Sequence, residues 1–519
     1  MRDISGTARR SCGVVLPLFA LRTADDWGIG EIAALPEAAA WAKEAGFSLL
    51  QILPPHELDP NETSPYGART AFGLDAIYLR VPDVADLDDA AVATALGDEG
   101  RRELARVRGS ERVDPRAVRA LKSRVIDAAF DRFSSQELAH DTARAREYRA
   151  FVEAERAWLD RFALYDALRE AHGGWGWETW PPEERDAARA TAKGALEARA
   201  ELARYTQWLL FGQWDRARRA TNALGVALMG DLPFIVGNES ADVWSHAGEF
   251  RRDLSLGAPP DEFSDEGQNW GLPAYDWAAM DANGLAWLRA RARHAARLYD
   301  SFRIDHVVGF FRMWVRGPGA GAAKGTFLPE EPAAQRARGM KVLAAMRDAA
   351  AEGGARIIAE DLGVIPPMVR TSLRELGLPG YKIIPWEKDD ASLVRDPRAF
   401  DPASVAAYST HDTQPITAWW PELPALDQAT LARYGGFEVG SADVDISLLG
   451  LLLAAGSDLA LVLVTELVGV TDRINLPGTV GDHNWTYRLP APVAELARDP
   501  ALRARFARLR EMAARAGRV

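Results

Sequence analysis

Three segments of the chain each end a predicted strand on a carboxylate: Ser301-Phe302-Arg303-Ile304-Asp305-His306, Arg356-Ile357-Ile358-Ala359-Glu360-Asp361 and Tyr408-Ser409-Thr410-His411-Asp412. A carboxylate has no packing role at the end of a hydrophobic strand. Three of them, with Arg303, His306 and His411 close by, point to carboxylate chemistry on an uncharged substrate, and so to a sugar. Moving a glycosyl group with retention needs two carboxyls about 5–5.5 Å apart, one an ionised nucleophile and the other a protonated acid that later serves as base. Asp305 follows Arg303 by two residues, so on a strand the two share a face, and the guanidinium favours an ionised, nucleophilic Asp305. Glu360 leaves the apolar run Ile357-Ile358-Ala359, a setting in which burial favours a retained proton. A third carboxylate, Asp412, can hold sugar hydroxyls and steady positive charge, and His306 and His411 can donate hydrogen bonds to hydroxyls.

Each segment alone has a structural reading. Arg303 and Asp305 can be a plain ion pair, Glu360-Asp361 can cap a following helix, and His411-Asp412 can be half of a metal site. A metal-dependent barrel hydrolase would want a His-x-His near its first strand, and none of the eight histidines forms one. No metal and no cofactor is expected.

What must position these groups is a set of strands with a common polarity. Eight short β-branched runs stand out, at residues 13–19, 47–53, 226–232, 301–305, 356–360, 382–386, 405–410 and 459–465. Between most of them lie Ala-rich helical stretches, such as 32–45 and 333–351, the second stopped by Gly353-Gly354. Alternation of strand and helix predicts a parallel sheet, and eight repeats predict closure into an α/β (β/α)8 TIM barrel, whose active site lies at the C-terminal strand ends. The three carboxylates, spaced by roughly fifty residues, fit one or two strand–helix units each. The spacing also predicts two insertions within a single catalytic unit over 1–519. Residues 83–220, after the second strand, read as a mainly helical subdomain, with Tyr148, Phe151, Trp158, Phe162, Tyr165 and Leu168 at helical spacing. Its Trp175, Trp177 and Trp180 form either a sugar platform or a small hydrophobic core. Residues 237–287 read as a long active-site loop between the third and fourth strands.

Composition bounds the function. The 519 residues are 48% hydrophobic and 26% charged, with a net charge of −12 and no basic block, which argues against nucleic acid as the main partner. The single cysteine, Cys12, excludes an intramolecular disulfide. The N-terminal residues lack a signal-peptide pattern and no apolar run is long enough to span a bilayer, so the expectation is a cytoplasmic protein with no membrane partner. Seventeen tryptophans are a high count, and aromatic faces suit pyranose rings.

With these segments in hand the chain resembles the 4-α-glucanotransferases (amylomaltases, or disproportionating enzymes), a branch of the α-amylase superfamily. The resemblance runs through almost the whole chain. It is carried by Asp26-Trp27-Gly28-Ile29-Gly30-Glu31, Gln51-Ile52-Leu53-Pro54-Pro55, Ser64-Pro65-Tyr66 and Met229-Gly230-Asp231-Leu232-Pro233-Phe234. It continues through Gly257-Ala258-Pro259-Pro260-Asp261, Gly267-Gln268-Asn269-Trp270-Gly271, the three carboxylate segments, Asn475-Leu476-Pro477-Gly478-Thr479 and Asn484-Trp485. The resemblance implies that Asp305 is the nucleophile, Glu360 the acid/base and Asp412 the transition-state stabiliser. It implies that Arg303, His306, Asp231 and His411 surround the donor subsite and that Tyr66 stacks on the donor sugar. Gln268 and Trp270 would lie on a loop over the acceptor side, Trp386 would be an aromatic of the cleft, and Asn484 would contact substrate. Donors would be maltooligosaccharides or α-1,4-glucans, and acceptors glucose or maltooligosaccharides. Three departures spare the carboxylates: His411-Asp412-Thr413-Gln414-Pro415 replaces the usual His-Asp-Asn-Asp-Thr, Val307-Val308-Gly309 replaces Phe-Arg-Gly, and the first strand ends without Ser-Leu-Pro. They bear on chain-length preference and on the balance of transfer and hydrolysis. An α-glucan hydrolase with weak transfer and a non-catalytic glucan-binding barrel are the competing readings. The intact trio speaks against the second.

Overall fold

Eight short strands, buried nearly throughout, pair in parallel and close on themselves in the computed structural model, which describes residues 10–60, 62–174, 176–260, 266–321 and 323–519. They are β1 (Ser11–Val15), β2 (Leu49–Gln51), β3 (Ala227–Leu232), β4 (Ser301–Ile304), β5 (Arg356–Ala359), β6 (Gly380–Ile383), β7 (Ser404–Ala407) and β8 (Leu459–Leu463). Neighbours in space are neighbours in sequence, and β1 closes on β8 from Ser11 opposite Leu459 to Val15 opposite Leu463. Strands sheltered on both faces must be apolar on both, which is why they appear in the sequence as continuous β-branched runs. This is the TIM barrel expected from the alternation.

Helices Leu35–Glu44, Ala286–Leu298, Pro332–Glu352 and Pro367–Leu376 connect successive strands on the outside. Pro332–Glu352 ends where Gly353 caps it and Gly354 turns the chain at φ +79°. The strands are shorter than the sequence suggests: Asp305 and Glu360 stand just beyond their strands, and Asp412 five residues past the end of β7 at Ala407. The runs at 13–19 and 382–386 are displaced most, each strand starting two residues earlier than expected, at Ser11 and at Gly380. Pro385 lacks an N–H, so Ile384–Trp386 leaves the sheet as a 3-10 turn. Pairing begins instead at Gly380, and the Tyr381 N–H donates to Asp361 Oδ1 at 2.7 Å. Asp361, beside Glu360, is thereby a structural carboxylate.

Between β2 and β3 lie four long helices: Asp89–Gly109, Pro115–Gln136, Ala143–Ala171 and Ala195–Ala223. The face expected along the third buries Tyr148, Phe162, Tyr165 and Leu168, with Phe151 and Trp158 half-buried. Trp177 and Trp180 are buried at 4% and 2% exposure, so they are packing residues and not a sugar platform; Trp175 lies outside the described residues. Between β3 and β4 the loop strand Ser255–Ala258 pairs with Gln268–Asn269 and, on its other side, with Met313–Arg316 from beyond β4. A side chain at Gly257 would meet the Gln268 carbonyl at 1.9 Å, which accounts for the glycine that opens the Gly257-Ala258-Pro259-Pro260 motif. Asp261 of that motif lies outside the described residues. Among the described residues no helix is long and apolar enough to cross a membrane.

One buried ion pair joins the helical region to the barrel. Lys122 Nζ, 1% exposed, donates to Glu31 Oε1 at 2.8 Å and to the Ile77 and Leu79 carbonyls at 2.6 and 2.7 Å. Lys122→Met leaves a carboxylate and two carbonyls buried without their donor. Urea unfolding should read a loss of about 3–5 kcal/mol, and a loss below about 1 kcal/mol, the range of an exposed pair, would contradict this account.

Candidate active site

Arg303 is the hub. It projects from β4 beside Asp231 of β3, its partner in the strand register. Its side chain is 6% exposed and its Nη1 lies 2.6 Å from Asp231 Oδ2. Its Nη2 lies 2.8 Å from Asp305 Oδ1 and 4.0 Å from Glu360 Oε2. The same-face geometry expected of residues two apart on a strand is therefore realised. Because one nitrogen reaches both carboxylates, those two oxygens lie within about 7 Å of each other, which admits the retaining separation of roughly 5–5.5 Å. Close packing beneath the site needs Gly230, where a side chain would strike the Tyr299 ring at 2.3 Å.

Glu360 stands at the end of β5, 8% exposed. Its Oε2 accepts from the His306 N–H at 2.7 Å and its Oε1 from the Leu362 N–H at 2.9 Å. Burial pushes its carboxyl up to about 7; Arg303 and these two donors pull against that, and Asp305 adds to it. Its neighbour Asp305 is more open, with 27% of its side chain exposed. A buried acid beside a solvent-reachable carboxylate is the asymmetry that divides acid from nucleophile. His306 sits at φ +46°. Burial holds its imidazole down at about 4, and its ring meets the edges of Trp270 at 4.8 Å and Phe234 at 5.7 Å.

Asp412 lies beyond β7 with His411. His411 Nε2 is 3.2 Å from Asp412 Oδ2, and Asn475 Nδ2 donates to Asp412 Oδ1 at 2.6 Å. Desolvation opposes ionisation, but His411 and Asn475 outweigh it and hold the Asp412 carboxyl at about 2. Burial likewise opposes charge on His411, and Asp412 outweighs it, so the imidazole is held up. Tyr66 links the two halves. Its hydroxyl donates to Asp231 Oδ2 at 2.8 Å, lies 2.9 Å from His411 Nε2 and accepts from Arg303 at 3.3 Å. Arg303, Asp231, Tyr66, His411 and Asp412 thus form one continuous polar network, with Asp305 and Glu360 on the other side of Arg303.

Trp270 donates through Nε1 to Gln268 Oε1 at 3.0 Å and leans on His306, so the loop from beyond β3 reaches the site through that ring. Trp386 follows β6 at the same end of the barrel, 46% exposed. Asn484 is brought to a loop and not to the carboxylates: its Oδ1 accepts from the Leu476 N–H at 2.8 Å and its Nδ2 donates to the Thr479 carbonyl at 2.9 Å. Sequence reasoning assigned no role to Asn475, Arg473 or Trp485. Arg473 donates to the Asp412 carbonyl at 2.6 Å, and Trp485, at φ +61°, packs its ring 5.8 Å from both Tyr66 and His411. The one signal for Asn475 and Trp485 was their place in the last two motifs. The Asp26 motif is structural, since the carboxylate pairs with buried Arg488 at 2.5 Å.

A closed parallel barrel with three carboxylates and a buried arginine at the C-terminal strand ends defines a carbohydrate-active (β/α)8 enzyme. The chain belongs to the 4-alpha-glucanotransferase family, glycoside hydrolase family 77, whose model matches residues 16–494, and its activity is that of a glucan transferase. It is 29% identical over 504 residues to the 4-alpha-glucanotransferase of Chlamydia pneumoniae, covering 93% of this chain and 92% of that one. It is 30% identical over 472 residues to the Thermus thermophilus enzyme, covering 86% and 88%. The fold matches a solved amylomaltase from Streptococcus agalactiae with a TM-score of 0.82 at 24% identity, over 98% of this chain and 100% of that one. An amylomaltase from Corynebacterium glutamicum matches at 0.81 and 23%, over 97% and 75%. The family acts on α-1,4-glucans.

Proposed function

We propose that the chain transfers α-1,4-glucan segments between maltooligosaccharides by a retaining double displacement at Asp305 and Glu360. The observation that carries this reading is the shared guanidinium: Arg303 Nη2 reaches Asp305 at 2.8 Å and Glu360 at 4.0 Å. Asp305 attacks the anomeric carbon while Glu360 gives its proton to the departing glycosidic oxygen, leaving a glycosyl ester on Asp305. The 4-hydroxyl of an acceptor, a glucose or maltooligosaccharide, then attacks the same carbon. Glu360 takes its proton and the ester bond to Asp305 breaks. Asp412, ionised beside His411, grips donor hydroxyls and steadies the oxocarbenium-like charge, with Tyr66, Asp231, Arg303, His306 and His411 around it. Gln268 and Trp270 cover the acceptor side, where excluding water decides transfer over hydrolysis; a tenfold preference needs only about 1.4 kcal/mol. Trp386 lines the cleft on the β6 side, and Asn484 acts on substrate through the loop it holds. Residues 83–220 and 237–287 are the helical insertion and the active-site loop of one catalytic unit. A cytoplasmic location fits a chain whose one cysteine needs no oxidising compartment.

Pure protein incubated with maltotriose should yield longer maltooligosaccharides together with glucose. Glucose and maltose alone would make water the acceptor and overturn the transfer reading. The acid sets a pH limb: kcat/KM should fall as pH rises through about 7, because Glu360 must be protonated to release the leaving group. A profile flat from pH 6 to 9 would remove Glu360 from that role.

A further inference from the structure

Asp412 stands on a loop, residues 409–415, between β7 and the short helix Ile416–Trp419. The loop is pinned from within, the Thr410 N–H donating to Thr413 Oγ1 at 2.8 Å and the Asp412 N–H to Thr410 Oγ1 at 3.2 Å. Arg473 and Asn475 hold its middle, at Asp412 and at the His411 carbonyl, and its two ends are tied by Glu466, which follows β8 in the short helix Val464–Val468 and is 1% exposed. Glu466 Oε1 accepts from the Ile416 N–H at 3.2 Å, at the far end of the loop, and Oε2 accepts from the Leu463 N–H of β8 at 3.1 Å. The same carboxyl is hydrogen-bonded with the Ser409 hydroxyl at the near end. The single Ser409 hydroxyl hydrogen is shared between that carboxyl and the Gln414 carbonyl, 2.7 Å away, and its oxygen accepts from Trp419 Nε1 at 3.3 Å. One carboxyl therefore fastens both ends of the Asp412 loop to β8. Tyr408 and Arg505 are the charged and titratable groups around it, and Arg505 Nη2 is bonded to the Glu466 carbonyl, not to its carboxyl. Burying a carboxyl that no guanidinium or ammonium grips directly is costly, and an apolar residue would fill the space at less cost. A glutamate here is explained by the geometry it imposes.

We propose that Glu466 is a positioning residue for glucan transfer, setting the place of Asp412 by clamping both ends of the loop that carries it. The inference rests on the role proposed above for Asp412. An amide cannot replace the carboxyl, because both oxygens accept from backbone N–H groups and a –NH2 would turn a donor onto a donor. Glu466→Gln therefore releases one anchor at nearly constant volume, and Ser409→Ala releases the near end while the carboxyl keeps its two backbone partners, Ile416 and Leu463.

Both substitutions should be made in the full chain and again on top of Asp412→Asn, with transfer from α-maltosyl fluoride to glucose as the assay. Displacing a reacting-centre group by about 1 Å costs on the order of a hundredfold. Glu466→Gln should lower kcat by that order and Ser409→Ala by about tenfold, with KM changed less than about threefold. On the Asp412→Asn background neither should lower kcat by more than about twofold further, because the group of the reacting centre that the loop carries is then gone and His411, which remains on it, is held separately by the Tyr66 hydroxyl at 2.9 Å. Full additivity, or unchanged kcat in the single variants, would overturn the inference. If Glu466→Gln does not fold, Ser409→Ala decides by the same criteria. Normal turnover in Asp412→Asn alone would instead sink the role of Asp412. An inactive Asp412→Asn with additive Glu466→Gln and Ser409→Ala would sink only the positioning claim.

Discussion

Asp305→Asn should bind maltooligosaccharides about as well as the native chain and turn them over roughly 10⁴- to 10⁶-fold more slowly, the range seen when a member of a catalytic set is removed. The amide keeps the shape of the side chain and loses both its charge and its nucleophilicity. Arg303 limits the structural damage, since its Nη1 keeps Asp231 at 2.6 Å and its Nη2 keeps Glu360 within 4.0 Å. Binding is read by calorimetry with maltotriose and turnover by glucose release. Loss of less than about tenfold would mean that Asp305 is no more than an ion-pair partner of Arg303.

Glu360→Gln should lower turnover of maltooligosaccharides by roughly 10²- to 10⁴-fold, the usual worth of a positioned general acid. The loss should depend on the leaving group. An α-maltosyl fluoride departs as fluoride without needing a proton, so its first step should be slowed far less than cleavage of maltotriose. Equal losses on both donors would contradict an acid role and point to disturbed geometry. Such a disturbance has a source, since both carboxyl oxygens accept backbone N–H bonds, from His306 and Leu362, and an amide satisfies only one of them. The comparison of donors separates the two effects, because a shifted loop slows both.

The parts of this site that were legible in the sequence share a physical cause. Parallel barrel strands are buried on both faces, so they stand out as β-branched runs, and a charged residue at the end of such a run is conspicuous. Asp305, Glu360 and Asp412 were visible on that ground, and Arg303 through its spacing of two from Asp305. Tyr66, Asp231, Gln268 and Trp270 lie in loops or strand ends whose pattern says nothing by itself, and only motif resemblance marked them. Asn475 and Arg473 contact Asp412 from more than sixty residues further along the chain, beyond β8. No periodicity links such distant polar residues, and the register that brings β8 beside β7 is a property of the closed barrel. The pairing of Ser255–Ala258 with Met313–Arg316 was invisible for the same reason, since it joins loops on either side of β4. The sixth strand was misplaced by two residues because Ile383-Ile384-Pro385-Trp386 is apolar enough for a strand but cannot donate at Pro385. Asn484 was expected among the substrate contacts, yet its amide is already engaged with Leu476 and Thr479. A polar residue in a motif carries no mark that separates loop-holding from ligand-holding.

The most direct test of the account is to trap the glycosyl ester. The Glu360→Gln variant would be incubated with an α-maltosyl fluoride lacking the 4-hydroxyl of its non-reducing end, so that it serves as donor only, and the protein then weighed intact and after digestion. The account predicts a mass gain of one modified maltosyl unit, located by fragmentation at Asp305. Donor consumed without any adduct, or an adduct on Asp412 or another carboxylate, would contradict it.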